Sequence, residues 1–239
     1  LGIRMSMPLD FGICGDHVYM LLTWIDGEEA STALERLNPS AQYDAGYEAG
    51  LFLQKIHSIE AGRDSQPWDA RYRAKIARVI DGYKRCGVEI TGDDRIIDFI
   101  KTNEHRLSGR KTTLQHGDYH VGNFIITEHN QVGIIDFNRG GNGDPWEEYN
   151  RYVFTWRTSV HFANGQIHGY FDGDVPDEFF DLMGLYSATN ALGAIPWAIP
   201  FGKADVARMI ENCGLVYDAY DRFECVLPKW YEPPRRSST

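Results

Sequence analysis

No apolar run in the 239-residue sequence approaches the roughly 20 residues that cross a bilayer; the longest lies near Val18 to Ile25. Nor is there a basic segment followed by an apolar core, the mark of a secretory leader. No membrane partner is expected, and the expected compartment is cytoplasmic. Cysteine is scarce: Cys14, Cys86, Cys213 and Cys225 are far apart with no C-x-x-C pair. That excludes a zinc ribbon and a disulfide framework and leaves four reduced thiols. Positive charge is short, with 24 Lys and Arg against 34 Asp and Glu, a net charge of -10. Such a balance disfavours nucleic acid and anionic surfaces as partners, and it favours a small cationic molecule. Neither G-x-G-x-x-G nor G-K-[ST] occurs anywhere, so these phosphate-cradling glycine loops are absent. There are no internal repeats.

What is present suffices for a full core, since 43% of the residues are hydrophobic. Pro8 to Ile13 and Val18 to Trp24 read as two strands around a Cys14-Gly15-Asp16 turn. Apolar residues at helical spacing predict helices over Ser40–Ile59, Arg71–Arg85, Asp94–Leu107, Gly165–Phe171, Pro176–Trp197 and Lys203–Phe223. The basic residues Arg71, Arg73, Lys75 and Arg78 are expected on a solvated face. Asp144-Pro145-Trp146-Glu147 has cap, first-position proline and acidic third position, which predicts a helix running on through Trp156. Gly140-Gly141-Asn142-Gly143 reads as a flexible connection. The tail from Pro233 to Thr239 has a disordered composition.

The informative stretch is Leu114 to Pro145. It holds His116-Gly117-Asp118, then Asn123 five residues past the aspartate, then Asp136-Phe137 thirteen residues further. The order matches the H-R-D…N…D-F-G arrangement of kinase-type phosphoryl transfer. That chemistry is mostly positioning and charge neutralisation, and an amide oxygen with a carboxylate forms a hard-oxygen donor set for Mg²⁺. Phe124–Thr127 and Val132–Ile135 read as two strands of a hairpin turning at Glu128–Gln131. The hairpin brings Asn123, at the mouth of one strand, close to Asp136, at the exit of the other.

With Gly117 inside H-G-D, His120 in the loop, and Ile134-Ile135-Asp136-Phe137 followed by Asp144-Pro145-Trp146, the chain resembles the aminoglycoside phosphotransferase family. The motifs occupy Gln115 to Glu148, and the resemblance extends from about Pro8 to Tyr231. It implies a protein-kinase-like α+β fold: a remnant of the nucleotide-binding small lobe and hinge at residues 1–25, the large catalytic lobe at 26–232, and a tail at 233–239. The resemblance assigns Asp118 to orienting the acceptor hydroxyl, and Asn123 and Asp136 to Mg²⁺. Thr23, Trp24 and Ile25 fall on the adenine edge of ATP or GTP, with Ile125 and Ile135 lining that side. His57 is expected in the core under the catalytic loop, His120 in holding the loop's shape, and Glu148 in hydrogen bonding to the loop backbone. The acids Glu147, Asp172 and Asp174 are candidates for holding a polycationic substrate such as an aminoglycoside. Alternatives on the same scaffold are a metabolic kinase for choline, a sugar or homoserine, and a non-catalytic pseudo-kinase. The absent phosphate loop and lysine favour the last and predict that this chain is the carboxyl-terminal portion of a larger enzyme.

Overall fold

The computed structural model describes residues 1–62 and 66–234, so the end of the tail lies outside the described residues. Strands β1 (Pro8–Cys14) and β2 (His17–Leu22) form an antiparallel hairpin turning at Gly15, with its side chains largely exposed. A connection at residues 23–27 leads to β3 (Glu28–Glu29) and the single turn α1 (Ala30–Ala33). Helices α2 (Pro39–His57), α3 (Trp68–Arg85) and α4 (Asp93–Asn103) follow. Next come four short strands, β4 (Thr113–Gln115), β5 (Phe124–Ile126), β6 (Val132–Ile134) and β7 (Gly141–Gly143). The chain ends in α5 (Val153–Trp156), α6 (Val160–Phe171), α7 (Asp177–Ala198) and α8 (Lys203–Ala219). Strands pair as β1-β2, β3-β5-β6 and β4-β7, all antiparallel.

The expected helices are all present, with ends moved by a few residues where caps decide. Asn38 caps α2 by accepting the Ala41 N–H at 3.0 Å, with Pro39 in the first position. Two expectations are corrected. The segment after Asp144 is a 3-10 helix over Pro145–Arg151 and becomes α-helical only at Val153. Successive carboxylates at 144, 147 and 148 all bond to other elements, and these tertiary bonds tighten the turn beyond what local propensity would select. The glycine run is likewise an ordered strand: Gly141–Gly143 pairs with Thr113–Gln115, and a Cβ on Gly143 would stand 2.1 Å from the Gln115 side chain.

Helix α7 is apolar around most of its circumference and is correspondingly buried, packing against α3, α4 and α8. The pair α2 and α6 makes a different kind of contact. Gly46, Gly50, Gly165 and Gly169 face the partner backbone so closely that an added Cβ would meet a carbonyl oxygen at 2.1 to 2.2 Å. Two G-x-x-x-G spacings thus set a backbone-to-backbone crossing, the packing that small residues permit. This pair supports the motif region directly, because the Tyr119 hydroxyl donates to the Ala49 carbonyl of α2 at 2.7 Å. Elsewhere, a Cβ added at Gly82 in α3 or Gly214 in α8 would meet nothing within 4 Å. Alanine at either site is expected to raise stability by roughly 0.5–1 kcal/mol through reduced unfolded-state entropy, read from a thermal melt.

Candidate active site

Strand β4 delivers Gln115 into the H-G-D loop, and every residue of that triplet has a separate physical reason. His116 is fully buried and bridges two chain segments. Its Nδ1 accepts the Asp118 N–H at 3.2 Å and its Nε2 donates to the Ile135 carbonyl at 3.0 Å. Burial pushes the imidazole pKa down, so the ring is neutral with its proton on Nε2. It therefore ties the loop to the residue immediately before Asp136. Gly117 adopts φ +84°, and a Cβ there would lie 2.1 Å from the Arg139 carbonyl oxygen. Glycine alone fits a left-handed position pressed against backbone. The Gly117 N–H donates to both Glu148 oxygens, at 3.0 and 3.1 Å, which is the backbone bond expected of Glu148. Beneath it, buried His57 approaches Glu148 at 3.8 Å and bonds Tyr170 through Nδ1 at 2.8 Å.

Asp118 is half-buried and surrounded by donors. Arg151 forms an ion pair with Oδ1, His120 Nε2 lies 3.3 Å from the same oxygen, and Arg139 Nε lies 3.6 Å from Oδ2. Burial raises the carboxyl pKa, but bonds and charge from His120 and Arg151 outweigh it and hold the group well below the usual carboxylate range. His120 accepts the Gly122 N–H on Nδ1 at 3.1 Å, leaving Nε2 as the donor toward Asp118. It shapes the loop and also orients the carboxylate.

Asn123 donates Nδ2 to the Asp118 carbonyl at 2.7 Å, which turns its amide oxygen free of the loop. The Ile135 N–H donates to the Asn123 carbonyl at 3.1 Å, so Asn123 and Asp136 meet at the neck of the β5–β6 hairpin. Asp136 sits at φ +67°, a left-handed position that aspartate tolerates, and its exposed carboxylate has no hydrogen-bond or ion-pair partner among the described residues. An amide oxygen and an uncommitted carboxylate at one hairpin neck fit a divalent cation in chemistry. Among the described residues no cluster of three or more His, Cys, Asp or Glu side chains could hold a metal by itself, so any ion here shares its coordination with other ligands.

The connection after β2 crosses the same hairpin. Ile25 packs its Cδ1 and Cγ2 against Gly133, each 2.9 Å from a Cβ position there, and Gly27 presses on Ile125 and the Ile126 carbonyl. Half-buried Ile125 is thus covered by the connection from one side, and Ile135 is likewise half-buried. Thr23 is used differently from expectation: its N–H donates to the Met7 carbonyl at 2.9 Å and its hydroxyl accepts the Met7 N–H at 2.8 Å. Its donor closes the base of the β1–β2 hairpin. Trp24 is 84% exposed.

On the other side of Asp118 opens a cleft of 440 Å³, walled by the 3-10 segment and by α3, α7 and α8. Glu147 lies in this wall, buried, with Lys75 Nζ bonded to it at 2.7 Å. Periodicity puts Lys75 on a solvated face; it lines the cleft instead, because α3 turns that face toward the 3-10 segment. Asp172 and Asp174 are exposed on the loop between α6 and α7 and are not part of the cleft; Asp172 accepts the Tyr47 hydroxyl at 3.0 Å. Arg139, Arg151 and Arg208, which no motif marks, also line it. A larger recess of 720 Å³, bordered by His57, Trp68 and Arg110, contains none of Asp118, Asn123 and Asp136.

Asp144 is completely buried and caps the 3-10 segment by accepting the Trp146 N–H at 2.9 Å. Arg110 holds it through two bonds of 2.5 and 3.2 Å, and the Tyr186 hydroxyl adds a third at 2.9 Å. Arg110→Met would leave a buried carboxylate without its cation. The expected cost is about 3–5 kcal/mol, measured by urea unfolding.

The fold has relatives of known structure. An ADP-bound aminoglycoside phosphotransferase APH(2'')-Ib is similar over 91% of this chain and 78% of its own, at 15% identity and a TM-score of 0.61. Aminoglycoside phosphotransferase APH(4)-Ia, in ternary complex with ADP and hygromycin B, is similar over 90% of this chain and 77% of its own, at 14% identity and TM-score 0.66. A choline/ethanolamine kinase family protein from Mesorhizobium loti is similar over 92% of this chain and 75% of its own, at 14% identity and TM-score 0.65. These likenesses show a protein-kinase-like fold, represented here mainly by the helical large lobe. No curated protein matches the chain in sequence. A family model does, that of the APH phosphotransferase enzyme family, over residues 3–179, a span that holds the H-G-D loop and the hairpin neck, and the chain belongs to that family.

Proposed function

We propose that the protein transfers the γ-phosphoryl group of a nucleoside triphosphate, ATP or GTP, to a hydroxyl of a small molecule. The observation that carries this reading is the meeting of Asp118, Asn123 and Asp136 around one loop and one hairpin neck. Asp118 receives the acceptor hydroxyl as a hydrogen-bond donor and aligns its oxygen. Full proton removal before transfer is not needed, because a loose transition state places little early charge on the nucleophile. Asn123 and Asp136 are the residues that would hold Mg²⁺; the ion supplies charge neutralisation on the phosphates when bound. Trp24 and Ile25, with Ile125 and Ile135 opposite, form the candidate adenine side. Because its N–H is engaged by Met7, Thr23 serves as a structural anchor for that edge.

Two acceptor classes follow from likeness. A hygromycin B complex and a choline/ethanolamine kinase family protein among the similar structures support a small hydroxyl-bearing acceptor, an antibiotic or a metabolic alcohol. Phosphorus NMR on the protein with Mg²⁺ and ATP or GTP, against a panel of hydroxyl compounds, tests the activity. A new phosphomonoester signal is the expected result, and no transfer to any acceptor with tight nucleotide binding would instead support the non-catalytic reading.

A further inference from the structure

The charge inside the cleft is opposite to that of the chain. Overall the protein carries -10, yet the cleft is lined by four cations, Lys75, Arg139, Arg151 and Arg208, against two carboxylates, Asp118 and Glu147. Both carboxylates are already matched: Glu147 bonds Lys75 at 2.7 Å, and Asp118 pairs with Arg151 and faces Arg139 at 3.6 Å. Arg208 pairs with Asp205, which stands outside the lining. A polycation entering here would have to strip an arginine or lysine from each acid it uses. An anion would instead engage spare donors, since Lys75 has two further N–H bonds and each guanidinium has five N–H groups in all.

The neutral lining adds a second feature. Among the described residues Asn150 Oδ1 is buried without a hydrogen-bond partner, while its Nδ2 donates to the Glu147 carbonyl at 2.7 Å. Half-buried Asn190 stands in the lining, and Trp197, 54% exposed, forms an aromatic rim. These groups suit a hydroxylated body of sugar size. Asn123, Asp136, Ile125 and Ile135 are absent from this lining, and Lys75, Arg151 and Arg208 come to it from α3, the 3-10 segment and α8 rather than from the hairpin neck.

We infer that the acceptor is a hydroxylated anion, a polyol or sugar acid carrying a carboxylate or phosphate, whose charged group is held by Lys75 and Arg208 while Asp118 addresses a free hydroxyl. The inference rests on the phosphotransferase reading above and concerns its acceptor. A cleft with an excess of cations, four against two carboxylates, also concentrates such an anion against the repulsion of the acidic surface.

The test is isothermal titration of the protein with four probes: gluconate, glucose 6-phosphate, glucose and kanamycin, each repeated with phosphorus NMR after adding Mg²⁺ and ATP. Binding of gluconate or glucose 6-phosphate, weakened by raising salt, with glucose weaker and kanamycin absent, is the expected result. The two anionic probes separate carboxylate from phosphate as the preferred group. Lys75→Gln and Arg208→Gln should each raise the anion's dissociation constant at least about tenfold, and Lys75→Arg should restore most of it. Circular-dichroism melts establish that the variants fold, and the salt dependence of the unaltered protein keeps the test independent of them. Binding of kanamycin in preference to both anions, or no anion binding, overturns the inference. Transfer to kanamycin alone overturns it while leaving the phosphotransferase standing; anion binding with no transfer from ATP or GTP keeps the anion subsite and removes the phosphotransferase reading.

Discussion

Asp118→Asn is expected to lower turnover by about 10²–10⁴-fold, the range supplied by a positioned carboxylate in hydroxyl activation, while nucleotide affinity changes little. The substitution keeps shape and removes the charge that Arg151, Arg139 and His120 surround. Because Asn123 bonds the Asp118 main-chain carbonyl and not its side chain, the hairpin neck stays assembled in the variant. Asp136→Asn acts on the neck itself and should lose nucleotide binding and turnover together. Turnover and a nucleotide titration on each variant separate the two roles. Unchanged turnover in Asp118→Asn would remove that residue from the chemistry.

The second large effect is expected away from the cleft. Gly165→Val places a Cβ where the Tyr43 carbonyl oxygen stands 2.1 Å away, and the opposing atom is backbone that no rotamer change can move. Helices α2 and α6 must separate, at an expected cost of about 3 kcal/mol or more. For a chain of this size that corresponds to a fall in Tm of roughly 6–12 °C. Since α2 also accepts the Tyr119 hydroxyl through Ala49, activity should fall with stability even below the melting range. A Gly165→Val protein that melts with the unaltered one would show that the pair tolerates separation. Gly82→Ala, in open space, is the matched control.

The catalytic loop and the glycine crossing differ in how far the amino-acid order reveals them. The pattern of local hydrogen bonds and apolar spacing determined most of the elements by itself: α2, α3, α4, α6, α7 and α8 fall where periodicity and caps set them, and the β5–β6 hairpin falls where two apolar runs flank a turn. The meeting of Asn123 with Asp136 was readable too, because a hairpin converts a sequence interval directly into proximity. The Asp144 cap follows from the Asp-Pro start signature of its own segment, whereas the Glu148 bond to the loop, 31 residues away, was what the family resemblance implied.

Tertiary packing decided the rest. The spacing Gly46-x-x-x-Gly50 and Gly165-x-x-x-Gly169 was present in the sequence, but which faces met depended on the fold bringing two distant helices together. Lys75 has the periodicity of an outward position, and only the approach of the 3-10 segment to α3 turned it into a wall of the cleft. Net charge pointed to a cationic ligand because it sums the whole surface; the cleft sums only the charged residues that line it, four basic against two acidic. Sequence therefore determined the H-G-D loop, whose parts are close along the chain, whereas the cleft beside it is assembled from residues up to 133 positions apart, Lys75 to Arg208, and its charge existed only once the helices had packed.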